Sequence, residues 1–326
     1  MAFGKQVLFF LLRIWFRLFP KGFVYFGHGV AQSRKDSFIE RIHFPADQLE
    51  EVIDFWKKLG FRFVAMDELK EMAQNEFRFS RPWVHFTFDD GYQNNLTVAL
   101  PIFSKHRVPF SVFVSTHQVQ TGKRFDTFII RAAIYHTIRE VRIPYLSYVL
   151  KADAGREERV SYIRMVSSVF KRLEARESRV FVQTAYDLLN HDEWQKLFDD
   201  YRNDIPLTVG ELVQLSESEW VTVGSHGVDH AIHNNKHLKN DCIHEVTDSK
   251  KWLESTLGKP VDTFAFPNGG EGDFSDDCLL NCSDARYKMV FTTLKEPVNA
   301  DVSNLKIPRQ FLSGDCQGLL KWLIKH

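Results

Sequence analysis

The sequence predicts an α/β barrel that is interrupted by a helical insertion. Short apolar strands alternate with amphipathic helices over residues 23–114, and the alternation resumes at Thr208. This order is typical of a parallel sheet covered by helices. Residues from about 120 to 205 are instead charge-rich and helical, so we interpret them as an insertion into a barrel spanning residues 23–326. A chain of 326 residues accommodates one such barrel of about 250 residues with attachments.

The composition excludes several classes of protein. With 44% hydrophobic and 26% charged residues, the chain is neither disordered nor fibrous. The 42 basic residues balance the 42 acidic ones, so no net charge would attract nucleic acid, and we expect none as a partner. Four cysteines are too few for a disulfide scaffold, and no CxxC spacing indicates a thiolate metal site.

Residues 1–22 form an amphipathic segment ahead of the barrel. Its apolar run is shorter than the roughly 20 residues that a spanning helix needs, and no cleavage site of a secretory signal follows it. We therefore expect a cytoplasmic protein. On a helical wheel one arc carries Lys5, Gln6, Arg13 and Arg17, and the opposite arc carries Val7, Leu11, Ile14, Trp15 and Leu18.

Two interpretations of this segment stay open. Residues 1–21 would lie in the interface of the cytoplasmic membrane, with Trp15, Phe16 and Phe19 in the acyl boundary and the basic side chains at anionic headgroups. The absence of acidic residues before Asp36 belongs to this pattern. Alternatively, the apolar face packs onto the body of the protein or onto a second subunit, so an oligomer stays open as well.

The first half of the barrel alternates regularly. Residues 47–59 repeat apolar side chains at helical spacing and stop at Gly60, and Asp67 is placed to cap the next short helix. Residues 96–105 predict a further helix. The apolar stretches predicted as strands are residues 23–26, 61–65, 84–88 and 108–114.

The second half resumes the same alternation. Thr208 and Glu211 have the spacing of a capping box at the start of a helix. Cys278 and Cys282 stand four residues apart on a later helix, and we interpret them as half-buried helix residues rather than ligands. Longer helices are predicted at residues 156–175, 192–201 and 241–257, and strands at residues 221–224, 263–266, 287–292 and 305–311.

Two adjacent carboxylates follow the predicted strand 84–88. The motif TFDDG brings Asp89 and Asp90 to the carboxyl end of a parallel strand, the edge at which α/β barrels build their sites. Crowded carboxylates repel each other unless a cation is present, so one would serve as metal ligand and the other as base. An Asp-Gly turn capping a helix is the plainer interpretation of this motif alone. His85, on the strand itself, is interpreted as buried structure.

A histidine pair follows the first predicted strand after the insertion. The motif SHGVDH, residues 225–230, places His226 and His230 four residues apart, so that both imidazoles can face one ion. Together with one carboxylate they supply three protein ligands and leave an open coordination position. Glycines before and within the motif indicate a tight loop rather than a solvated helix face. His233 and His237, which follow, are interpreted as surface residues.

The two motifs resemble those of the polysaccharide deacetylase family, carbohydrate esterases of the family 4 type with the NodB homology domain. The second motif of that family reads His-Ser/Thr-x-x-His. His226 and His230 occupy its histidine positions, with Gly227 in place of the hydroxyl residue. The segment FGHGV, residues 26–30, is similar to the Tyr-His-x-Val opening of one branch of the family. The resemblance covers both sides of the insertion and implies a distorted (β/α) barrel of the NodB type.

The resemblance also implies roles for the motif residues. Asp89 would be the general base for the attacking water, and Asp90, His226 and His230 would hold one divalent metal, for which zinc is the usual ion. A metal with an open position suits amide hydrolysis, because it polarises the carbonyl group and acidifies water.

The chain departs from the family at two later motifs. Where the family has Arg-x-x-Pro-Tyr, residues 264–269 read FAFPNG, so Asn268 replaces the tyrosine and the arginine is missing. The backbone N–H of Asn268 can still stabilise an oxyanion, and Arg309 is the candidate for orienting Asp89. The Leu-x-His motif that supplies the general acid has no match. His28 is the candidate for that role, with a plain loop residue as the alternative.

These inferences predict a metal-dependent hydrolase that removes an N-acyl group from an amino sugar. Acetyl is the expected group and formyl the alternative. The substrate would be a nucleotide- or lipid-linked sugar of surface polysaccharide or lipopolysaccharide O-antigen synthesis, which is accessible in the cytoplasm. Two other functions stay open: a non-catalytic carbohydrate-binding or assembly protein at the membrane, and an amidase acting on a small cyclic amide. The complete set of Asp89, Asp90, His226 and His230 favours the enzyme.

Overall fold

A curled parallel sheet forms the centre of the computed structural model, which describes residues 2–232, 239–294, 296–299 and 301–325. The strands are β1 (Gly22–Gly27), β2 (Gly29–Ala31), β3 (His43–Pro45), β4 (Arg62–Phe63), β5 (Trp83–Phe88), β6 (Phe110–Val114), β7 (Val221–Ser225), β8 (Thr263–Ala265), β9 (Met289–Phe291) and β10 (Gln310–Phe311). The short β2 and β3 pair with each other, outside the main sheet.

The main sheet has eight strands and only parallel pairings. Its order is β10-β1-β5-β6-β7-β8-β9, with β4 alongside β5. A parallel bridge between Phe291 and Ile307 links β9 to the segment that runs into β10, so the sheet curls back toward its other edge. Strands β5 and β6 are buried at every position, as expected for a parallel sheet covered on both faces. The predicted distorted α/β barrel is confirmed.

Helices cover the outside of the sheet and fill the insertion. They are α1 (Ala2–Leu18), α2 (Ala46–Leu59), α3 (Met66–Gln74), α4 (Leu100–His106), α5 (Thr116–Thr121), α6 (Asp126–His136), α7 (Arg156–Phe170), α8 (Ala175–Tyr186), α9 (His191–Asp200), α10 (Val209–Ser216), α11 (Lys239–Leu257), α12 (Asp276–Asp284) and α13 (Cys316–Lys325). A π-helical turn (Asn95–Ala99) leads into α4, and a 3₁₀ turn (Arg202–Asp204) follows α9.

Local details differ from the sequence prediction at several elements. The helix α3 begins after Ala65 without a side-chain cap, so the capping role predicted for Asp67 is wrong. Asp67 lies in the first turn and pairs with Lys70 at 3.1 Å. The helix predicted at residues 96–105 starts as the π-helical turn, and Pro101, which has no amide hydrogen, lies where it changes to α4. The capping box of Thr208 and Glu211 is confirmed at α10.

The strands predicted at residues 61–65 and 305–311 contract to β4 and β10, because most of their residues make single bridges or loops rather than ladders. Cys278 and Cys282 are fully buried on α12, so their interpretation as half-buried residues is wrong. The sulfur of Cys278 contacts that of Cys242 on α11.

Helices of the insertion between β6 and β7 form a second hydrophobic core, which Ile39 from the segment between β2 and β3 joins. Helices α6 to α9 bury apolar residues such as Phe128, Tyr162 and Phe181 against one another. A buried polar group ties this unit to the barrel. Asp204, after α9, lies 3.3 Å from Nε2 of His43 at the start of β3 and 3.6 Å from Arg131 on α6.

The N-terminal helix α1 packs on the barrel with one face only. Phe16 is buried, and its ring centre lies 5.0 Å from that of Phe61, while Phe9 packs edge-on against Phe55 of α2. The prediction that Phe16 would enter a membrane interface is therefore wrong. Among the described residues, none of the helices combines the length and the apolar character that crossing a membrane requires.

Candidate active site

The carboxyl ends of four parallel strands supply all of the predicted site residues except Arg309. Asp89 and Asp90 follow β5, and His226 follows β7. His28 follows β1, and Asn268 comes three residues after β8. Because these strands lie side by side and point the same way, their carboxyl ends meet at one edge of the sheet. His233 and His237 lie outside the described residues.

Asp90, His226 and His230 converge on one point. One ligand atom from each residue lies within 4.8 Å of the others. Oδ1 of Asp90 is 3.2 Å from Nε2 of His230 and 3.6 Å from Nε2 of His226. Nδ1 of His226 lies 2.7 Å from the carbonyl oxygen of Ala265, so this nitrogen donates and Nε2 keeps its lone pair toward the site.

These residues fit a divalent cation. The buried Oδ1 of Asp90 lies near Nε2 of both histidines but makes no hydrogen bond of good geometry among the described residues, although a buried carboxylate oxygen needs one. Two imidazoles and one carboxylate are also the donor set of three-ligand zinc sites, which keep a fourth position open. Such an ion would supply the missing partner of Asp90.

Three residues of the motifs at the site have left-handed backbone conformations, which set the directions of their side chains. Asp90, His230 and Asn268 all have positive φ angles, of 77°, 57° and 58°. Asp and Asn tolerate the left-handed region better than most residues, but three such positions around one site store strain. Gly91, with a φ of 85°, continues the turn after Asp90.

Arg309 holds Asp89 in a fixed orientation. Nη1 and Nη2 of Arg309 lie 2.6 and 2.9 Å from the two carboxylate oxygens of Asp89. The guanidinium is fully buried and also donates to Oγ1 of Thr87 at 3.0 Å and to the carbonyl oxygen of Thr292 at 3.2 Å. Arg309 precedes β10 rather than ending a longer strand. A planar bidentate pair of this kind fixes the carboxylate plane.

The charges at the site shift the pKa values of its residues. Burial acts to raise the pKa of Asp89, but the charges of Arg309 and His226 outweigh it and lower that pKa. The pKa of Asp90 is likewise held low, against burial, chiefly by His230. Burial lowers the pKa of His226 to about 4, whereas Asp90 overcomes burial and raises the pKa of His230. Both aspartates are therefore ionised at neutral pH.

His28 and Asn268 lie in the loops at the carboxyl ends of β1 and β8. The backbone N–H of Asp89 bonds to the carbonyl oxygen of Gly27 at 2.9 Å, so His28 follows directly beside the TFDDG motif. Burial lowers the pKa of His28, and the charges of Asp90 and Asp89 oppose that effect. Its Nδ1 is buried without a hydrogen-bond partner among the described residues. The carbonyl oxygen of Asn268 accepts a hydrogen bond from Oγ1 of Thr293 at 2.7 Å, which anchors the loop after β8.

Comparison with known proteins identifies the family. The family model described as polysaccharide deacetylase matches residues 78–290. The chain belongs to the polysaccharide deacetylase family. No curated protein matches its sequence.

Solved deacetylase structures share the fold of this polysaccharide deacetylase. The Streptococcus pyogenes deacetylase PplD, in complex with acetate, is 16% identical with a TM-score of 0.58, over 92% of this chain and 97% of that one. IcaB from Ammonifex degensii is 15% identical with a TM-score of 0.59, over 93% and 97%. A de-N-acetylase from Aggregatibacter actinomycetemcomitans is 12% identical with a TM-score of 0.55, over 91% and 96%. The identities are low, so the likeness concerns the fold.

Glu245 supports the loop that carries His226 and His230 in this polysaccharide deacetylase. The sequence did not predict this role of Glu245. Its buried carboxylate on α11 accepts the backbone N–H groups of Val228 at 2.7 Å and Asp229 at 3.1 Å. Gly227 has a φ of 86°, and a Cβ there would lie 2.4 Å from Oε2 of Glu245. Glu245 thus occupies the space beside Gly227, the position at which the family usually has a hydroxyl residue.

The insertion contributes a wall to the site. Phe125, the residue before α6, places its ring 5.6 Å from that of His230 and 5.2 Å from that of Tyr92. Tyr92 is buried directly after the TFDDG motif, and its ring also contacts His43 at 4.8 Å. Neither aromatic residue was predicted as part of the site. For Phe125 the reason is that nothing in the sequence indicates which end of the insertion faces the barrel.

Proposed function

We propose that this polysaccharide deacetylase is a metal-dependent hydrolase that removes an N-acyl group from an amino sugar. The observation that carries the proposal is the convergence of Asp90, His226 and His230 beside Asp89, a carboxylate that Arg309 keeps oriented. Acetyl is the expected group and formyl the alternative. Acetate is the molecule bound in the solved structure of the similar deacetylase PplD.

Different residues of this chain would transfer the protons and stabilise the oxyanion during hydrolysis. Asp89 takes a proton from the attacking water, whose oxygen adds to the acyl carbon. The backbone N–H of Asn268 donates to the oxygen on which negative charge develops. His28, which is neutral because burial lowers its pKa, accepts the proton that Asp89 took from the water and passes it to the leaving nitrogen as the C–N bond breaks, so a carboxylic acid and a free amine result.

Asp90, His226 and His230 would hold one divalent cation, and zinc suits their nitrogen and oxygen donors. When bound, that ion polarises the acyl carbonyl and lowers the pKa of water. The substrate that we propose is an N-acylated amino sugar carried on a nucleotide or a lipid during the synthesis of surface polysaccharide or O-antigen. The protein would meet this substrate at the cytoplasmic face of the membrane.

Metal analysis followed by product assays tests the proposal. The metal content of the purified protein is measured first, and then the release of acetate and formate from N-acylated sugar nucleotides and lipid-linked amino sugars. We expect about one equivalent of metal and release of one acid, both lost in His226→Ala and His230→Ala. Full activity after complete removal of metal would refute the metal-dependent mechanism. A metal-loaded protein that binds these sugars without cleaving them would be a carbohydrate-binding protein instead.

A further inference from the structure

We propose that α1 attaches the protein to an anionic lipid bilayer through its outward face. Seven large apolar side chains form this face, which we call the outer stripe: Val7, Phe10, Leu11, Ile14, Trp15, Leu18 and Phe19. The inference rests on the surface of α1 alone and does not depend on the hydrolase activity.

The outer stripe remains after α1 has docked on the barrel. Leu12 and Phe16, one turn apart, are buried in the main core, and Phe9 packs against it. The outer stripe occupies the opposite side of the helix, where Phe10 is 63% and Leu18 69% exposed. One docked face and one free face explain why apolar residues cover most of the circumference of the helix, although only one face contacts the protein.

The outer stripe is continuous rather than a set of scattered residues. Its members recur at spacings of three and four, and the rings of Trp15 and Phe19 lie 4.4 Å apart at one end. The backbone N–H of Phe19 bonds to the carbonyl oxygen of Trp15, which extends the helical course past Leu18. Soluble monomeric proteins rarely leave a contiguous apolar surface of this kind uncovered.

Charge indicates what covers the outer stripe. Arg13 and Arg17 are exposed along one edge of it, and Lys21 follows the helix. No aspartate or glutamate occurs before Asp36. An apolar stripe with a basic border matches the acyl boundary and anionic headgroups of a bilayer. The stripe would lie flat in that interface, since the helix cannot span it.

A second copy of the chain fits this surface less well than a bilayer. In an antiparallel two-fold contact the same stripe meets itself, and the basic edges formed by Arg13 and Arg17 of the two copies would lie on the same side. The helix carries no acidic residue that could pair with them. Like charges placed together oppose association, whereas anionic headgroups would attract all of them.

Vesicle flotation of the full-length protein tests the inference. Leu11→Glu/Leu18→Glu puts charge on the outer stripe, and Ile138→Glu/Leu280→Glu makes the same change at residues that are 79% and 61% exposed elsewhere. We expect the wild type and the control pair to float with vesicles of phosphatidylcholine and phosphatidylglycerol, and the stripe variant to stay at the bottom. Arg13→Gln and Arg17→Gln should each weaken binding to these vesicles about fivefold, but hardly change binding to phosphatidylcholine alone.

Circular dichroism first establishes that each variant is folded. The inference is wrong if the wild type does not float with anionic vesicles, or if the stripe variant floats equally well. It is also wrong if the wild type is a dimer in sedimentation experiments, fails to float, and becomes a monomer in Leu11→Glu/Leu18→Glu. The outer stripe would then be a subunit interface.

Discussion

Arg309 donates hydrogen bonds to both carboxylate oxygens of Asp89, although the two residues are 220 positions apart in the chain. This pair stands where other members of the family use an arginine of their third motif, which residues 264–269 lack. The contact is possible because β10, which follows Arg309, pairs with β1, and β1 pairs with β5, which precedes Asp89. The order of the strands thus brings Arg309 to Asp89, although residues 264–269 contain no arginine.

Substitutions of Arg309 should distinguish its effect on the orientation of the Asp89 carboxylate from the effect of its positive charge. Arg309→Lys keeps the positive charge but cannot make the bidentate contact. We expect about a 100-fold loss of kcat with unchanged metal content, because a displaced base costs turnover but not ligands. Arg309→Gln leaves Asp89 buried and unpaired, which should lower the free energy of unfolding by about 3–5 kcal/mol. Kinetics, metal analysis and urea unfolding measure these effects. Full turnover in Arg309→Lys would show that orientation of Asp89 is unimportant.

The two adjacent aspartates should behave differently when neutralised. Asp89→Asn is expected to retain metal but lose about 10²–10⁴-fold in turnover, because Asp89 contacts Arg309 and acts as base. Asp90→Asn should weaken metal binding, because Oδ1 of Asp90 faces both histidines. Metal titration and kinetics on both variants provide the measurement. Equal loss of metal in the two variants would contradict this division of roles.

Glu245 should control metal affinity without contacting the metal. Glu245→Ala removes the acceptor for the N–H groups of Val228 and Asp229, so the loop that carries His226 and His230 loses its support. We expect zinc affinity to fall about 10–100-fold, as for other residues that orient metal ligands. Glu245→Gln is the matched control, because its carbonyl oxygen can accept the same bonds. If both variants lose affinity equally, the charge of Glu245 matters rather than its hydrogen bonds.

The sequence predicted the fold and the local motifs because these depend on neighbours in the chain. Strand-helix alternation indicated the parallel sheet, and TFDDG and SHGVDH lie at strand ends, where such a sheet gathers side chains. The support of the site was not predictable in the same way. Glu245 lies on a helix 15 residues after His230, and its contact with the loop depends on how α11 packs.

The sequence also could not predict which face of the N-terminal helix α1 is buried. Its composition indicated one apolar face, but the structure has two, and periodicity alone cannot tell which of them meets the barrel. Phe16 and Trp15 are neighbours in sequence, yet Phe16 is buried against Phe61 and Trp15 is exposed. When a helix is apolar around most of its circumference, the spacing of its apolar residues does not identify the face that is buried.

His85 should make stability depend on pH. Burial lowers its pKa to about 4 from an ordinary 6.5, while its ring nitrogens bond to the carbonyl oxygen of Val64 and to Oγ of Ser111. Between these two pH values the unfolded chain binds a proton that the folded protein does not. This contribution to stability is therefore present above pH 6.5 and declines as the pH falls toward 4.

Urea unfolding of the wild type and of His85→Gln measures this contribution. Other groups titrate in both proteins and cancel in the difference. From pH 7 to pH 5, the wild type should lose roughly 2 kcal/mol more stability than the variant. Parallel pH dependence of the two proteins would mean that His85 takes up its proton in the folded state as readily as in the unfolded chain.

His28 should be needed only when the leaving group needs a proton. His28 follows Gly27, whose carbonyl oxygen accepts the backbone N–H of Asp89, and its buried Nδ1 has no hydrogen-bond partner among the described residues. An amine leaves an acyl carbon poorly unless its nitrogen is protonated, whereas 4-nitrophenolate leaves as a stable anion. His28→Asn should therefore lower kcat on an N-acetyl amino sugar about 10²–10⁴-fold, but lower the hydrolysis of 4-nitrophenyl acetate less than about tenfold. Asp89→Asn is the matched control, because a base that activates water is needed for both substrates, so both rates should fall together. A parallel loss of both rates in His28→Asn, with intact metal content, would instead make His28 a residue that positions the site and not the general acid.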